Sequence, residues 1–179
     1  MPILFQRLTI LLFVSLLPGF LVIAQPVPNR YNIEAELNDS SHHLKGVVNL
    51  HYSNIGFDTL YSLVFQIWPN AYQNRQSSYA RQQLELRRTT FHFSSQEQRG
   101  GYDSLAFLIN GSALTYQEYK GQIDIVEVNL QEPLYPGDTV SLEIPFDLVI
   151  PELFSDFGHT GHYYQCINWF PILAIRDSN

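Results

Sequence analysis

The sequence predicts an all-β fold, namely an antiparallel sandwich or saddle-like sheet with one short inserted helix. Short stretches alternate apolar with polar residues, turn residues such as Gly, Pro and Asn separate these stretches, and only one segment has a helical composition. The chain has 179 residues, of which 45% are hydrophobic and 14% aromatic. A chain of this kind can bury the core of one ordinary domain.

The N-terminal segment is predicted to lie outside that domain. Residues 1–24 are typical of a secretory signal peptide, because Arg7 precedes a largely apolar run that ends in an acceptable cleavage triplet at residues 22–24. The alternative is a membrane anchor. A cleaved signal is favoured because the run is short for a membrane span and Pro18-Gly19 weakens its helix.

Three regions follow from this interpretation. We expect a signal peptide over residues 1–24, a proline-containing linker over residues 25–30 and a β domain over residues 31–179. The protein is then secreted or periplasmic, with no membrane contact after signal cleavage.

The first three strands are predicted from alternation. Residues 31–37 and 44–52 place apolar side chains at every second position around a turn at 38–41, so they are expected to form a hairpin. A third strand over 60–68 is apolar on both faces in its middle, which is typical of a central strand. Pro69 is expected to end it, because proline cannot donate to the ladder.

The middle of the chain contains the predicted helix and a hairpin. Residues 78–88 lack Gly and Pro and carry apolar residues among arginines, which predicts a short surface helix. Asn110-Gly111 between apolar stretches is a strong signal for a two-residue hairpin turn.

The last predicted strands lie on either side of a turn at Pro136-Gly137-Asp138. The parity of the apolar residues changes near residues 125–126, which predicts a bulge there. Residues 140–150 alternate strictly, and Pro145 in their middle predicts an edge strand or a bulge. The chain after Pro151 is expected to be loop-like.

Charge and cysteine content exclude several functions. Asp and Glu outnumber Lys and Arg by 17 to 10, and the resulting net charge of −7 argues against a nucleic-acid partner. The single cysteine, Cys166, cannot form an internal disulfide, and we expect it to be a small buried hydrophobic residue.

A metal site is only weakly indicated. His159 and His162 are three residues apart in a Gly-rich segment, and Asp156 would be a third ligand. The competing interpretation, which we favour, is a loop whose histidines form hydrogen bonds. Carboxylates such as Asp147 and Glu152 lie near each other in sequence, but nothing in their spacing forces them together.

Aromatic residues near strand ends are a better indication of function. Such rings form sugar or peptide platforms on β-sandwiches, although core packing is the expected role of most of them. The residues concerned are Trp68, Tyr72, Tyr79, Tyr163, Tyr164 and Trp169.

An ordered set of short motifs resembles a known family. The motifs are Tyr31-Asn32-Ile33, Asp58-Thr59-Leu60, Trp68-Pro69-Asn70-Ala71-Tyr72, Arg99-Gly100-Gly101-Tyr102-Asp103-Ser104-Leu105, Leu134-x-Pro136-Gly137-Asp138, Gly158-His159-x-Gly161 and Gln165-x-x-x-Trp169-Phe170-Pro171. In this order they resemble the N-terminal, cap domain of the zinc aminopeptidases of the aminopeptidase N family, in its secreted bacterial branch.

The resemblance implies a saddle-shaped β domain that caps a thermolysin-like catalytic domain. The family's zinc ligands lie in a His-Glu-x-x-His motif with a distant Glu, and a Gly-x-Met-Glu-Asn segment binds the substrate amine. This chain contains neither motif, since no His is directly followed by Glu and Met1 is its only methionine. No cofactor and no catalytic residue are therefore expected in this chain, and zinc is expected in the full-length family member.

The resemblance also implies the site residues and the partners. Gln165 matches a family Gln that helps to hold the free amine of the peptide, and Trp169 and Phe170 would form a wall of the cleft. The partners would be the peptide substrate and the catalytic domain of the same enzyme, so we expect the chain to stop where that domain begins and to expose an apolar face towards it. The alternative is a stand-alone secreted β-sandwich that binds a peptide or a glycan.

Overall fold

A computed structural model describes residues 29–174, and these form an all-β domain with two short α-helices. The predicted signal peptide and most of the predicted linker lie outside the described residues. The strands are β1 (Arg30–Asn38), β2 (His43–Ser53), β3 (Leu60–Gln66), β4 (Gly101–Leu105), β5 (Leu108–Ile109), β6 (Ser112–Ala113), β7 (Tyr116–Tyr119), β8 (Gln122–Leu134), β9 (Thr139–Val149), β10 (Phe157–Thr160), β11 (Tyr163–Cys166) and β12 (Ile172–Leu173).

The strands are arranged in two larger sheets and one small one, and every strand pair is antiparallel. Sheet A has the order β1-β2-β9-β5-β6, with β4 also paired to β9. Sheet B has the order β12-β3-β8-β7, and β10 pairs with β11 alone. One buried cluster contains apolar side chains from both larger sheets, so the two sheets share a core as in a sandwich.

The predicted first hairpin is confirmed. Strands β1 and β2 pair from Arg30↔His51 to Asn38↔His43. Val48 and Leu50 of β2 are almost fully buried, as their alternation requires. Gly46 is needed where it stands, because a Cβ there would lie 2.1 Å from the carbonyl oxygen of Glu34 on β1.

Strand β3 is an interior strand of sheet B, as its apolar middle predicts. Directly after it, Trp68–Tyr72 form a 3-10 helix with Pro69 in its first turn. Proline suits this position because it has no N–H to leave unpaired at a helix start. The chain therefore turns away from the sheet at Trp68 and brings Tyr72 into the core, where it is fully buried.

The inserted helix is present but shorter than predicted. Helix α1 (Ser78–Glu85) begins at an N-cap, Ser77, whose hydroxyl accepts a hydrogen bond from the amide of Ala80 at 3.0 Å. It ends before the predicted boundary, and Arg87 adopts a left-handed conformation with φ 58°. A further four-residue helix, α2 (Thr90–Phe93), was not predicted.

The Asn110-Gly111 turn joins β5 to β6 as predicted. Asn110 has φ 50° and Gly111 has φ 77°, the positive values that a tight hairpin turn of this type requires. The strands are only two residues long, and the chain then crosses to sheet B as β7.

Of the two alternatives predicted for residues 140–150, the edge strand was wrong, and the register of β4 against this strand shifts between Tyr102 and Ser104. Strand β9 is an interior strand of sheet A, with β2 on one side and both β4 and β5 on the other. Pro145 is tolerated because it lies at the break between β4 and β5, where its carbonyl oxygen accepts a hydrogen bond from the amide of Ala106 at 3.2 Å. The missing N–H of proline therefore falls where the neighbouring strand is interrupted.

Strand β8 contains the predicted irregularity. Its register against β7 shifts between the pairs Glu118↔Val126 and Tyr119↔Gln122, close to residues 125–126. Towards the start of the strand, however, the buried residue is Asp124, which is only 7% exposed. An acidic side chain thus lies on the same face as buried Val126 and Val128.

The prediction of a loop after Pro151 was also wrong. Residues 157–166 form the β10–β11 hairpin, and β12 then pairs with β3. A Cβ at Gly158 would lie 2.6 Å from the carbonyl oxygen of Glu152, so glycine lets the hairpin pack against the preceding segment. Within residues 29–174, none of the helices is both long enough and apolar enough to span a membrane.

Candidate functional site

The predicted site residues lie on the last part of the described chain. Gln165 is in β11, directly opposite Gly158 of β10. Directly opposed residues of an antiparallel pair point to the same face, so Gln165 shares the face that meets residues 152–153. Its side chain is half-buried. The hairpin therefore fixes the position of Gln165 while leaving part of it accessible.

Trp169 and Phe170 lie in the segment that leads from β11 to β12. Their rings contact each other at 5.6 Å between centroids, Trp169 contacts Phe146 at 5.8 Å, and Phe170 contacts Tyr31 at 5.5 Å. The hydroxyl of Tyr102 donates a hydrogen bond to the carbonyl oxygen of Trp169 at 2.7 Å. Both rings are half-buried against the core, and so they combine a packing role with a partly accessible surface.

A cluster of four polar rings and one carboxylate, which could not be predicted from sequence spacing, covers the opposite face of the β10–β11 hairpin. It consists of Asp39, His42, His159, His162 and Tyr164, and is called the histidine cluster below. The imidazoles of His42 and His159 stack with centroids 3.6 Å apart and planes 16° apart. These residues come from the β1–β2 turn and from β10–β11, so the cluster fastens the hairpin to sheet A.

Hydrogen bonds run through the histidine cluster in one direction. The hydroxyl of Tyr164 donates to Oδ1 of Asp39 at 2.7 Å and lies 2.6 Å from Nδ1 of His42. Since a phenol has one proton, Nδ1 of His42 donates to Tyr164 when Tyr164 donates to Asp39. Nδ1 of His162 lies 2.6 Å from Oδ2 of Asp39, so both carboxylate oxygens have a partner.

These contacts change the proton affinities of the cluster. The hydrogen bond from Tyr164, followed by that from His162, lowers the pKa of Asp39. Desolvation and the hydrogen bond to Asp39 raise the pKa of Tyr164 to about 12. Desolvation and the neighbouring His42 lower the pKa of His159. The cluster therefore holds a carboxylate, a neutral phenol and a neutral imidazole at neutral pH.

The structure does not assemble the considered metal site of His159, His162 and Asp156. His162 pairs with Asp39 and His159 stacks on His42, so the two imidazoles have different partners. Within residues 29–174, no three His, Cys, Asp or Glu side chains are placed to hold a metal ion.

The two carboxylates that lie near each other in sequence, Asp147 and Glu152, also have separate partners. Asp147 lies 2.8 Å from Nδ1 of His43 and 2.8 Å from Nζ of Lys45, across the β2–β9 ladder. Glu152 instead accepts a hydrogen bond from the side-chain amide of Gln98 at 2.8 Å. Neither arrangement is a pair of carboxylates facing one substrate.

Most of the aromatic residues considered as a platform pack in or against the core. Tyr72 and Tyr79 are buried, and Trp68, Tyr164 and Trp169 are half-buried, so among the six only Tyr163 is exposed. Cys166 is exposed, and its expected burial was wrong. It stands at the end of β11, where the hairpin leaves the core.

A different set of large apolar side chains is exposed at one end of the sandwich. Phe57 is 96% exposed, and Ile55, Tyr61 and Tyr135 are each more than half exposed. They lie on the loop after β2, the start of β3 and the turn after β8. Hydrogen bonds of Asn54 with Gly137 and Asp138 join these loops. These four residues are called the aromatic end below.

The chain matches no protein-family model and no curated protein.

Proposed function

We propose that this chain is the N-terminal domain of a secreted zinc metallo-aminopeptidase, which caps the cleft and helps to bind the N-terminus of the peptide but is not catalytic alone. The observation that carries the proposal is the position of the ordered motifs in the fold. Trp68-Pro69 starts the 3-10 helix, Pro136-Gly137-Asp138 forms the turn before β9, and Gly158 and Gly161 shape the last hairpin. The motif set thus belongs to one folded domain.

Gln165, Trp169 and Phe170 carry the binding role in this proposal. The carboxamide oxygen of Gln165 would accept a hydrogen bond from the peptide's ammonium group, and the hairpin would hold that oxygen in place. The half-buried rings of Trp169 and Phe170 would offer an apolar wall beside it.

The chemistry of peptide hydrolysis would belong to the catalytic domain. When zinc is bound there, it polarises the scissile carbonyl and activates water. No catalytic step is proposed for this chain, because the His-Glu-x-x-His motif of the family does not occur in its sequence.

An activity measurement tests the non-catalytic part of the proposal. Purified residues 25–179 are incubated with zinc and alanine p-nitroanilide, and we expect no release of p-nitroaniline above that of the buffer. Turnover that depends on zinc, and that a chelator abolishes, would overturn the proposal.

The exposed aromatic end favours a second candidate, a stand-alone module that binds a peptide or a glycan. Under the first proposal the same surface would contact the catalytic domain. A titration of the isolated domain with a free peptide and with an oligosaccharide separates the two. Measurable binding that Phe57→Ala abolishes would support the module, whereas concentration-dependent self-association that Phe57→Ala reduces would support an unpaired domain face.

A further inference from the structure

An open pocket of about 450 Å³ lies where helix α1 meets the ends of β3 and β8. Trp68 of the 3-10 helix, Arg81 and Glu85 of α1, and Asp124 of β8 are among its lining residues. Its volume is in the range of small-molecule sites. Gln165, Trp169 and Phe170 do not line it, so it is separate from the proposed peptide-binding residues.

Asp124 is the unusual group in this pocket. The residue is 93% buried, since only 7% of its surface is exposed, and its Oδ1 atom has no hydrogen-bond partner among the described residues. Leaving a buried carboxylate oxygen unpaired costs stability, and buried polar groups are normally paired. Its backbone is firmly placed, because its carbonyl oxygen accepts a hydrogen bond from the amide of Ile67 at 2.8 Å. Because Asp124 lines the pocket, a ligand there that donates hydrogen bonds or carries a positive charge would stabilise its carboxylate.

The charged side chains that line the pocket are Asp124, Glu85 and Arg81, so their net charge is −1 and favours a cation. Glu85 adds a second carboxylate to the pocket. Arg81 is held at the start of its own helix, where its guanidinium donates to the carbonyl oxygen of Gln76 at 3.1 Å and to Oγ of Ser78 at 3.0 Å. The salt bridges found within residues 29–174 involve neither Asp124 nor Glu85.

The aromatic wall fits the same class of ligand. Trp68 is half-buried, and an indole ring attracts a cation placed over its face. A site with a buried carboxylate, a second carboxylate and an indole ring combines charge, hydrogen-bond acceptors and an apolar surface.

We propose that this pocket binds an organic cation, namely a primary ammonium or guanidinium group on an alkyl chain. The cationic group donates hydrogen bonds to Asp124, and the alkyl chain packs against Trp68. A free amine and a lysine or arginine side chain of a peptide carry the same chemistry, and the experiment separates these two sources.

Nuclear magnetic resonance of the 15N-labelled domain tests the proposal, because its two indole groups lie in different places. The probes are n-butylammonium for a free amine, N-acetyl-lysine N-methylamide for a basic side chain, and N-acetyl-norleucine N-methylamide as the uncharged match. We expect a cationic probe to shift the indole resonance of Trp68 and the amide of Ile125, while the indole of Trp169 stays unchanged. The tighter of the two cationic probes identifies the source.

Two variants and a control assign the binding to the carboxylates. Asp124→Asn keeps the size of the side chain and is expected to raise the Kd about tenfold or more, because a hydrogen bond to a charged group is lost. Glu85→Gln changes only the exposed surface of α1, so it preserves folding, and it is expected to raise the Kd about threefold. Glu143→Gln removes the same charge from the exposed surface of β9 and is expected to change the Kd by less than about twofold.

Several results would overturn the proposal. The uncharged probe would shift the indole resonance of Trp68 as much as the cations do, or neither cation would shift it. Alternatively, Asp124→Asn and Glu85→Gln would leave the binding of the cations undiminished. A failure here leaves the proposed aminopeptidase role untouched, since that role concerns Gln165 and Trp169 on another part of the fold.

Discussion

The histidine cluster and the Asp124 pocket each contain a carboxylate, and the two carboxylates are treated in opposite ways. Asp39 has a side chain that is 50% exposed, yet both of its oxygens have partners in Tyr164 and His162. Asp124 is buried, yet its Oδ1 has no hydrogen-bond partner among residues 29–174. If stability alone mattered, the buried carboxylate would be the paired one, because an unpaired polar atom costs most where water is excluded. In the histidine cluster the paired side chains join the β10–β11 hairpin to the β1–β2 turn, whereas Asp124 lines the pocket that we propose binds a cation.

The largest expected effect concerns the hairpin that carries His159, His162 and Tyr164, three of the five residues of the histidine cluster. Gly158→Ala places a Cβ 2.6 Å from the carbonyl oxygen of Glu152, at a φ of 152° that side chains rarely adopt. We expect a loss of about 2–4 kcal/mol in the free energy of unfolding, measured by urea denaturation. Gly161→Ala in the same hairpin is the control, because nothing lies within 4 Å of its added Cβ, and it should cost only about 1 kcal/mol. Equal losses in the two variants would show that the close approach at Gly158 does not matter.

Removing charge from two buried or paired carboxylates sharpens the comparison further. Asp147→Asn weakens contacts with His43 and Lys45 and is expected to lower the free energy of unfolding by up to about 1 kcal/mol. Asp124→Asn removes an unpaired buried charge, so in the absence of ligand it is expected to raise the free energy of unfolding by up to about 1 kcal/mol. Chemical denaturation of both variants at pH 7 measures the two effects. A clear loss of stability in Asp124→Asn would contradict the idea that the residue serves a ligand.

Tyr164→Phe tests the hydrogen-bonded chain in the histidine cluster. The wild-type phenol is expected to ionise at a pKa of about 12, because desolvation and the Asp39 carboxylate disfavour the phenolate. Absorbance titration should therefore lose one late-titrating tyrosine in the variant. The pKa of Asp39 is lowered mainly by Tyr164 and then by His162, so it should rise towards its ordinary value.

The hydrogen bond between Tyr164 and Asp39 also makes a small contribution to the stability of the fold that depends on pH. A carboxylate with a lowered pKa stabilises the fold above its ordinary pKa of 3.8, and this contribution is lost as the pH falls through the lowered value. Carbon-detected titration of the Asp39 carboxyl measures the shift. An unchanged pKa of Asp39 in Tyr164→Phe would show that the hydrogen bond does not persist in solution.

The smallest expected effect is the pH response of the stacked imidazoles. Desolvation, followed by the nearby His42, lowers the pKa of His159, whereas Glu152 acts in the opposite direction, and Tyr164 also contacts the ring. As the pH falls, this histidine is therefore protonated in the unfolded state at a higher pH than in the folded state. The free energy of unfolding falls as the pH drops below the ordinary histidine pKa of 6.5. Denaturation at pH 7.5 and 5.5 should show a smaller fall in His159→Phe than in the wild type. The same fall in both proteins would assign the response to other groups.

Much of the fold follows from local patterns in the sequence. Alternation over residues 31–37 and 44–52 identifies the first hairpin. Asn110-Gly111 identifies the turn between β5 and β6, because few other residues accept positive φ at both positions. Pro145 misled the assignment of β9, because a proline in an interior strand is allowed only if the neighbouring strand is broken there. The break between β4 and β5 lies opposite Pro145 only in the folded sheet, so the local sequence around Pro145 does not reveal it.

The sites depend on contacts that sequence spacing cannot show. Tyr164 reaches Asp39 across 125 positions of the chain, and His42 meets Tyr164 across 122. Asp124 resembles the polar member of an alternating strand, and only the packing of α1 beside β8 shows that it lines a pocket. The sequence could nevertheless have flagged it, since Asp124, Val126 and Val128 share one parity.

The most direct test of the proposed function is the nucleotide sequence that follows the codon for Asn179, read in all three frames. The proposal predicts that a His-Glu-x-x-His motif, a distant Glu and a Gly-x-Met-Glu-Asn segment are encoded further on. A following sequence that encodes none of these would contradict the aminopeptidase assignment and would favour a domain that binds its ligand alone.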